Sequence, residues 1–190
     1  MKLAVAFPGI GYHADKPLLY YGKKVAVSHG YELRDVPYGN FPPGVKGDAK
    51  KMEECFYLAL EQAEELLKDV DFSAYEEILF LSKSVGTAIA SAYGAKHGLK
   101  TKNVYFTPVA QSFPLMEQPG IVFHGTKDGW VETEIVKEEC EKRGLPLTII
   151  ADANHSLETG DWERDLENLL EVMREVDRYL GEKVEEKAAE

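Results

Sequence analysis

The sequence predicts an α/β protein, a three-layer α/β/α sandwich around a mainly parallel six-stranded sheet. Three observations carry this reading. Short apolar runs alternate with helical patterns from end to end. The runs are continuously apolar instead of alternating with polar residues, as in strands covered on both faces. The 190 residues hold one substantial core and are too few for two ordinary domains. Residues 1–180 are therefore read as one domain and residues 181–190 as a charged, fraying tail.

Leu3 to Phe7 is the first strand, stopped by Pro8-Gly9. Asp15 to Tyr21 reads as a short helix capped by Asp15, and Lys24 to Ser28 as the second strand. A Pro/Gly-rich loop runs from Tyr38 to Gly47. From Asp48 to about Val70, Met52, Phe56, Ala59, Ala63, Leu66 and Val70 recur at steps of three and four, which predicts an amphipathic helix. Ile78 to Leu81 is the third strand. The small, apolar stretch from Val85 to about His97 predicts a largely buried helix. Asn103 to Thr107 is the fourth strand, Pro108 to Pro119 is irregular, and Ile121 to His124 is the fifth strand. Val131 to Arg143 is a helix and Leu147 to Ile150 the sixth strand. Asp161 opens the last helix, whose stripe is Trp162, Leu166, Leu169, Met173, Val176 and Leu180.

Charge narrows the partners. A formal net charge of −11 supplies no basic field to draw in nucleic acid or an anionic membrane. The apolar start is too short for a signal peptide, and no run is long enough to span a bilayer. A cytoplasmic protein is expected. Cys55 and Cys140 are read as buried free thiols. The histidines and cysteines lack ligand spacing, and Pro8-Gly9-Ile10-Gly11 is neither a dinucleotide fingerprint nor a Walker loop. No metal and no cofactor are expected.

In parallel sheets ligands bind beyond the carboxyl ends of the strands. The predicted exits carry Phe7-Pro8-Gly9-Ile10-Gly11-Tyr12, Ser82-Lys83-Ser84-Val85-Gly86, His124-Gly125-Thr126-Lys127-Asp128-Gly129 and Ala151-Asp152-Ala153-Asn154-His155-Ser156. Ser84 sits on a strand-to-helix turn, as a nucleophile or as a simple helix cap. His155 is the candidate base. Among the other histidines, His97 reads as a helix-end residue, His124 as structural, His29 as remote and His13 as an exposed loop residue. Asp128 leaves an adjacent strand and can orient His155. Asp152 is the rival, but it would have to fold back across its own loop. Lys83, beside Ser84, can point either to solvent or to a substrate, and solvent is the expectation. Tyr12, Phe113 and Trp130 lie in loops around these exits, either lining a substrate pocket or packing the loops onto the sheet.

The order Ser, Asp, His, together with His124-Gly125-Thr126-Lys127-Asp128-Gly129-Trp130-Val131 and Asn154-His155-Ser156-Leu157-Glu158, resembles the α/β-hydrolase superfamily over nearly the whole chain. The resemblance implies a small serine hydrolase acting on an ester or thioester through a catalytic triad of Ser84, His155 and Asp128 and an acyl-enzyme. It implies an oxyanion hole from the backbone N–H groups of Val85 and Ile10. It also implies a minimal fold, without the superfamily's first two strands and without a cap domain. Ser82 departs from the pattern, standing where a glycine is usual. Acyl transfer by the same triad, or a non-catalytic binding protein on this fold, are the alternatives.

Overall fold

The computed structural model describes residues 1–45, 48–117 and 119–182. The end of the expected loop at Gly47 and most of the expected tail lie outside the described residues. Six strands and five helices follow in order: β1 (Lys2–Phe7), α1 (Pro17–Ser28), β2 (Tyr31–Asp35), α2 (Ala49–Leu67), β3 (Glu77–Lys83), α3 (Val85–Lys96), β4 (Thr101–Phe106), β5 (Gly120–Gly125), α4 (Thr133–Arg143), β6 (Leu147–Ile150) and α5 (Trp162–Gly181). The strands form one sheet in the order β2-β1-β3-β4-β5-β6, and every pairing is parallel.

Strand alternation builds the layers. On β1, Leu3, Val5 and Phe7 point to one face and meet Ala59, Ala63 and Leu67 of α2 and Ile89 and Tyr93 of α3. Ala4 points to the other face, with Leu79, Leu81 and Phe106, and meets Leu18, Leu19 and Ala26 of α1 and Val172, Val176 and Leu180 of α5. Tyr105 and Val122 pack with Val136 and Cys140 of α4. Both cysteines are free and buried. Among the described residues no helix is long and apolar enough to cross a membrane.

Four expectations are corrected. The segment Lys24–Ser28 is not a strand; it is the second half of α1. Its β-branched residues suggest a strand, but Leu18, Leu19, Gly22 and Ala26 are buried at helical spacing, and that packing decides. The true second strand, Tyr31–Asp35, is an edge strand with one buried residue, so it lacks an apolar run. Asp15 does not cap α1: Lys16 holds that position, with Pro17 at the first helical turn, and Asp15 lies 3.5 Å from Lys23 Nζ. On α2 the buried stripe is Cys55, Ala59, Ala63 and Leu67, so Leu66 is exposed. On α5 the stripe begins only at Leu169, and Trp162 and Leu166 are 70% and 58% exposed.

The chain leaves β1 to build β2 on one side, then returns to build β3 on the other. The loops that follow β1 and β3 therefore meet where the strand order reverses, the usual place for a ligand crevice.

Candidate active site

The turn after β3 is tight, and its neighbours explain its sequence. Ser84 has φ 56° and ψ −126°, a conformation costly for a residue with a Cβ. Its N–H donates to the Phe106 carbonyl at 3.0 Å, and its carbonyl accepts from Thr87 N–H at 2.9 Å and Thr87 Oγ1 at 2.6 Å. Gly86 has no alternative: a Cβ there would lie 2.2 Å from the Phe7 carbonyl oxygen and 2.4 Å from that of Pro8. Ser82 is fully buried, and its hydroxyl donates to the Val104 carbonyl at 3.2 Å. The residue that departs from the usual glycine thus fits, with its one polar group satisfied on the neighbouring strand.

Two other strand exits converge on Ser84. After β5, Asp128 N–H returns to the Gly125 carbonyl at 3.0 Å, and the Asp128 side chain is buried. Gly125 is required there, since a Cβ would meet the Ala153 carbonyl oxygen at 2.3 Å. That contact is the close approach of the turn after β5 to the loop after β6. In that loop Asn154 Oδ1 accepts from Ser156 N–H at 2.7 Å and Glu158 N–H at 3.2 Å. Thr107 Oγ1 donates to the His155 carbonyl at 2.9 Å.

The three side chains stand in series. His155 Nε2 lies 2.7 Å from Ser84 Oγ, and His155 Nδ1 lies 2.7 Å from Asp128 Oδ2. An ionised carboxylate can only accept, so Nδ1 carries the proton and Nε2 is left to accept from the serine hydroxyl. Burial pushes the Asp128 carboxyl up. The hydrogen bond and charge of His155 outweigh it, with the Trp130 N–H and His124 contributing, and hold it below the usual carboxylate range. Asp152 is not part of this chain: it is half exposed and paired with Lys127 at 3.1 Å and Arg164 at 3.2 Å.

His124 is buried beneath the site. Its Nε2 bonds Thr133 Oγ1 at 3.1 Å, and its Nδ1 lies 3.8 Å from Asp128 Oδ2 without a hydrogen bond among the described residues. Burial pushes its imidazole down, against the opposing pull of Asp128. His29 ends α1 and bonds Asp177, His97 bonds Glu64, and His13 is exposed.

A cavity of about 310 Å³ opens over Ser84 and His155. Ile10, Tyr12, Val85 and Trp130 line it, with Lys16 and Lys83. Gly9 and Tyr12 exchange two backbone hydrogen bonds, 3.1 and 3.2 Å, which fold the loop so that Ile10 is at its tip. The Trp130 ring lies over His155 with centroids 5.4 Å apart. Phe113 does not reach the cavity. It is 1% exposed and packs with Tyr105, Met116 and Val122, so of its two readings the packing one holds and the substrate-lining one is corrected. A second cavity of about 340 Å³, lined by Phe56, Tyr57, Ala88 and Val109, shares Met52 and Val85 with the first.

Lys83 is the largest surprise. It is 1% exposed, not solvent-facing. It ends a strand buried on both faces, and this position was the available signal. Lys16, Met52 and Thr107 carry no comparable mark in the sequence.

A parallel sheet with this order, and a strand–serine–helix turn at its reversal point, defines the α/β-hydrolase fold. Solved structures agree. The chain is similar to Est1E from Butyrivibrio proteoclasticus, solved with ferulic acid bound, with TM-score 0.69 and 14% identity over 97% of this chain and 90% of that one. It is similar to an α/β serine hydrolase homologue from Coxiella burnetii, with TM-score 0.67 and 14% identity over 94% and 84%. It is also similar to a serine hydrolase without a lid from Xanthomonas campestris, with TM-score 0.61 and 12% identity over 96% and 84%. At such identities the likeness is one of fold. No protein-family model and no curated protein matches the sequence.

Proposed function

We propose that the protein is a serine hydrolase that cleaves a carboxylic ester or thioester of a small molecule. The observation that carries this reading is the unbroken series from Ser84 Oγ through His155 to buried Asp128 at two contacts of 2.7 Å. His155 takes the serine proton as Ser84 attacks the carbonyl carbon, and Asp128 stabilises the imidazolium that forms. The backbone N–H groups of Val85 and Ile10 hold the oxyanion, a contribution of about 3 kcal/mol per donor in enzymes of this type. His155 then protonates the leaving group, and water attacks the acyl-enzyme by the same route in reverse. The adjoining cavities give the two sides of the ester separate places. The two free thiols fit a reducing, cytoplasmic setting.

The solved esterases of the same fold, one from Pyrococcus furiosus among them, support an ester as the substrate without identifying it. Labelling with a fluorophosphonate tests the reading. The expected result is one covalent adduct at Ser84 that disappears in His155→Ala. Folded protein that takes no label refutes it and favours a binding protein on this fold.

A further inference from the structure

Among the described residues three lysines are buried, and two are paired. Lys23 lies 2.8 Å from Asp35, and Lys102 lies 3.4 Å from Glu77 and donates to the Glu182 carbonyl at 3.2 Å. Lys83 is the most buried of the three. Its amine makes no hydrogen bond and no ion pair among the described residues. It sits 4.9 Å from the centre of the Tyr12 ring, on the wall of the cavity that holds Ser84 and His155. Lys16 Nζ lies 5.2 Å from the centre of the same ring and lines the same cavity, its one acceptor the Gly11 carbonyl at 2.9 Å. Two amines with no ion pair among the described residues thus share one aromatic ring beside the candidate nucleophile, in a protein of net charge −11.

A purely structural role does not account for this. A methionine would fill the space of Lys83 without the cost of burying an amine. The ring face of Tyr12 attracts a cation but supplies no hydrogen-bond acceptor. Its hydroxyl is already occupied, accepting from Leu18 N–H at 3.1 Å. The open side of Lys83 is the cavity.

We propose that Lys83 and Lys16, held on the Tyr12 ring, form an anion subsite, and that the substrate is an ester bearing a free carboxylate near its scissile bond. The proposal rests on the hydrolase reading and names its substrate class. Two ammonium groups and no arginine line this cavity. With burial pushing the Lys83 amine down to about 7, the pair carries less than two full positive charges near neutral pH, which matches a singly charged carboxylate better than the dianion of a phosphate. The second cavity, lined by Phe56, Ala88 and Val109 with Glu53 and Gln111 among them, takes the uncharged remainder.

Burial pushes the Lys83 amine down to about 7, with Asp128 and Glu158 opposing that shift and Lys16 adding to it. The titratable groups facing it are Tyr12, Lys16, Asp128 and Glu158. An incoming carboxylate is attracted only by the protonated amine, so preference for the anionic substrate falls as pH rises above about 7.

The test uses the full chain and two matched pairs of esters. One pair puts the charge on the leaving group, 4-acetoxybenzoate against its methyl ester. The other puts it on the acyl side, ethyl hydrogen adipate against ethyl hexanoate. The quantity read is the ratio of kcat/KM for the anionic member to that for the neutral member. Taking this ratio cancels every pH effect common to both substrates. The expected result is a ratio above one in at least one pair that drops about tenfold or more in Lys83→Met. A smaller drop is expected in Lys16→Met, which leaves the buried amine in place. The ratio in the unaltered protein should also decline above pH 7. A neutral preference in both pairs, or an anionic preference untouched by Lys83→Met, overturns the subsite. If Lys83→Met does not fold, the Lys16→Met ratio and the pH profile decide by the same criteria. Absence of fluorophosphonate label at Ser84 instead overturns the hydrolase reading, so the two failures are distinct.

Discussion

The two ends of the sheet are built to different standards. At the amino end, charges are closed off. Glu77 accepts from the Tyr31 hydroxyl and lies 3.3 Å from Lys2 and 3.4 Å from Lys102. Lys102 also stacks over Tyr179, 5.9 Å from its ring centre. At the carboxyl end, tension is retained. Ser84, Thr107, Asp152 and Leu157 all have positive φ without being glycine. Gly86 and Gly125 sit where no Cβ fits, His124 Nδ1 is unsatisfied, and Lys83 is unpaired among the described residues. A strained serine turn and a buried amine open to the cavity, both at the carboxyl end, are what a site costs.

The sharpest way to break this contrast is at the carboxyl end. Asp128→Asn keeps the size of the side chain but removes the charge and lets His155 take the wrong tautomer. Ester turnover should fall about 10⁴-fold with little loss of fold. Asp152→Asn removes a carboxylate from the same edge that faces Lys127 and Arg164 instead. Its kcat should stay within about twofold of the unaltered protein, the size of effect usual for exposed pairs. Steady-state kinetics on one neutral ester checks both. Equal losses in the two variants would mean that the acid has been misassigned.

Glu77→Gln tests the amino end. It leaves Lys102 buried beside a neutral amide and weakens the Tyr31 contact. Glu77 is about a quarter exposed, so the loss should be about 2 kcal/mol, below that of a fully buried pair. Urea denaturation measures it, and kcat should not change. A fall in kcat comparable to the loss of stability would couple the two ends and remove the distinction between them.

The same contrast explains what the sequence revealed. The four strand exits with Ser84, Asp128, His155 and the Gly9 loop were legible because glycine, proline and chain order mark them directly. The continuous apolar strands β1, β3 and β5 were legible for the same reason. Edge strand β2 was not, because Tyr-Glu-Leu-Arg-Asp buries only its first residue. The helix at Lys24–Ser28 was hidden because its burial is set by contacts with α5 and the sheet, not by local preference. Phe113 and Lys83 each admit two readings for one reason: residue type does not say which is enclosed, and position on the sheet decides it.

The most diagnostic effect concerns Lys83 as a load on the fold. Its folded value is about 7 against an ordinary 10.5, because burial disfavours the charged form. Between those two pH values the unfolded chain holds a proton that the folded chain has released. Stability therefore rises with pH across that window. Below about 7 both forms are charged and the full penalty stands. Lys83→Met should consequently stabilise the protein, on the order of a few kcal/mol at pH 6, with the gain shrinking as pH climbs toward 10. Melting temperatures of the two proteins at pH 6, 8 and 10 read this directly. A constant difference would mean that packing, not charge, separates them. A destabilised variant at every pH would mean that the amine is part of what holds the carboxyl end together, and the contrast between the two ends would lose its clearest member.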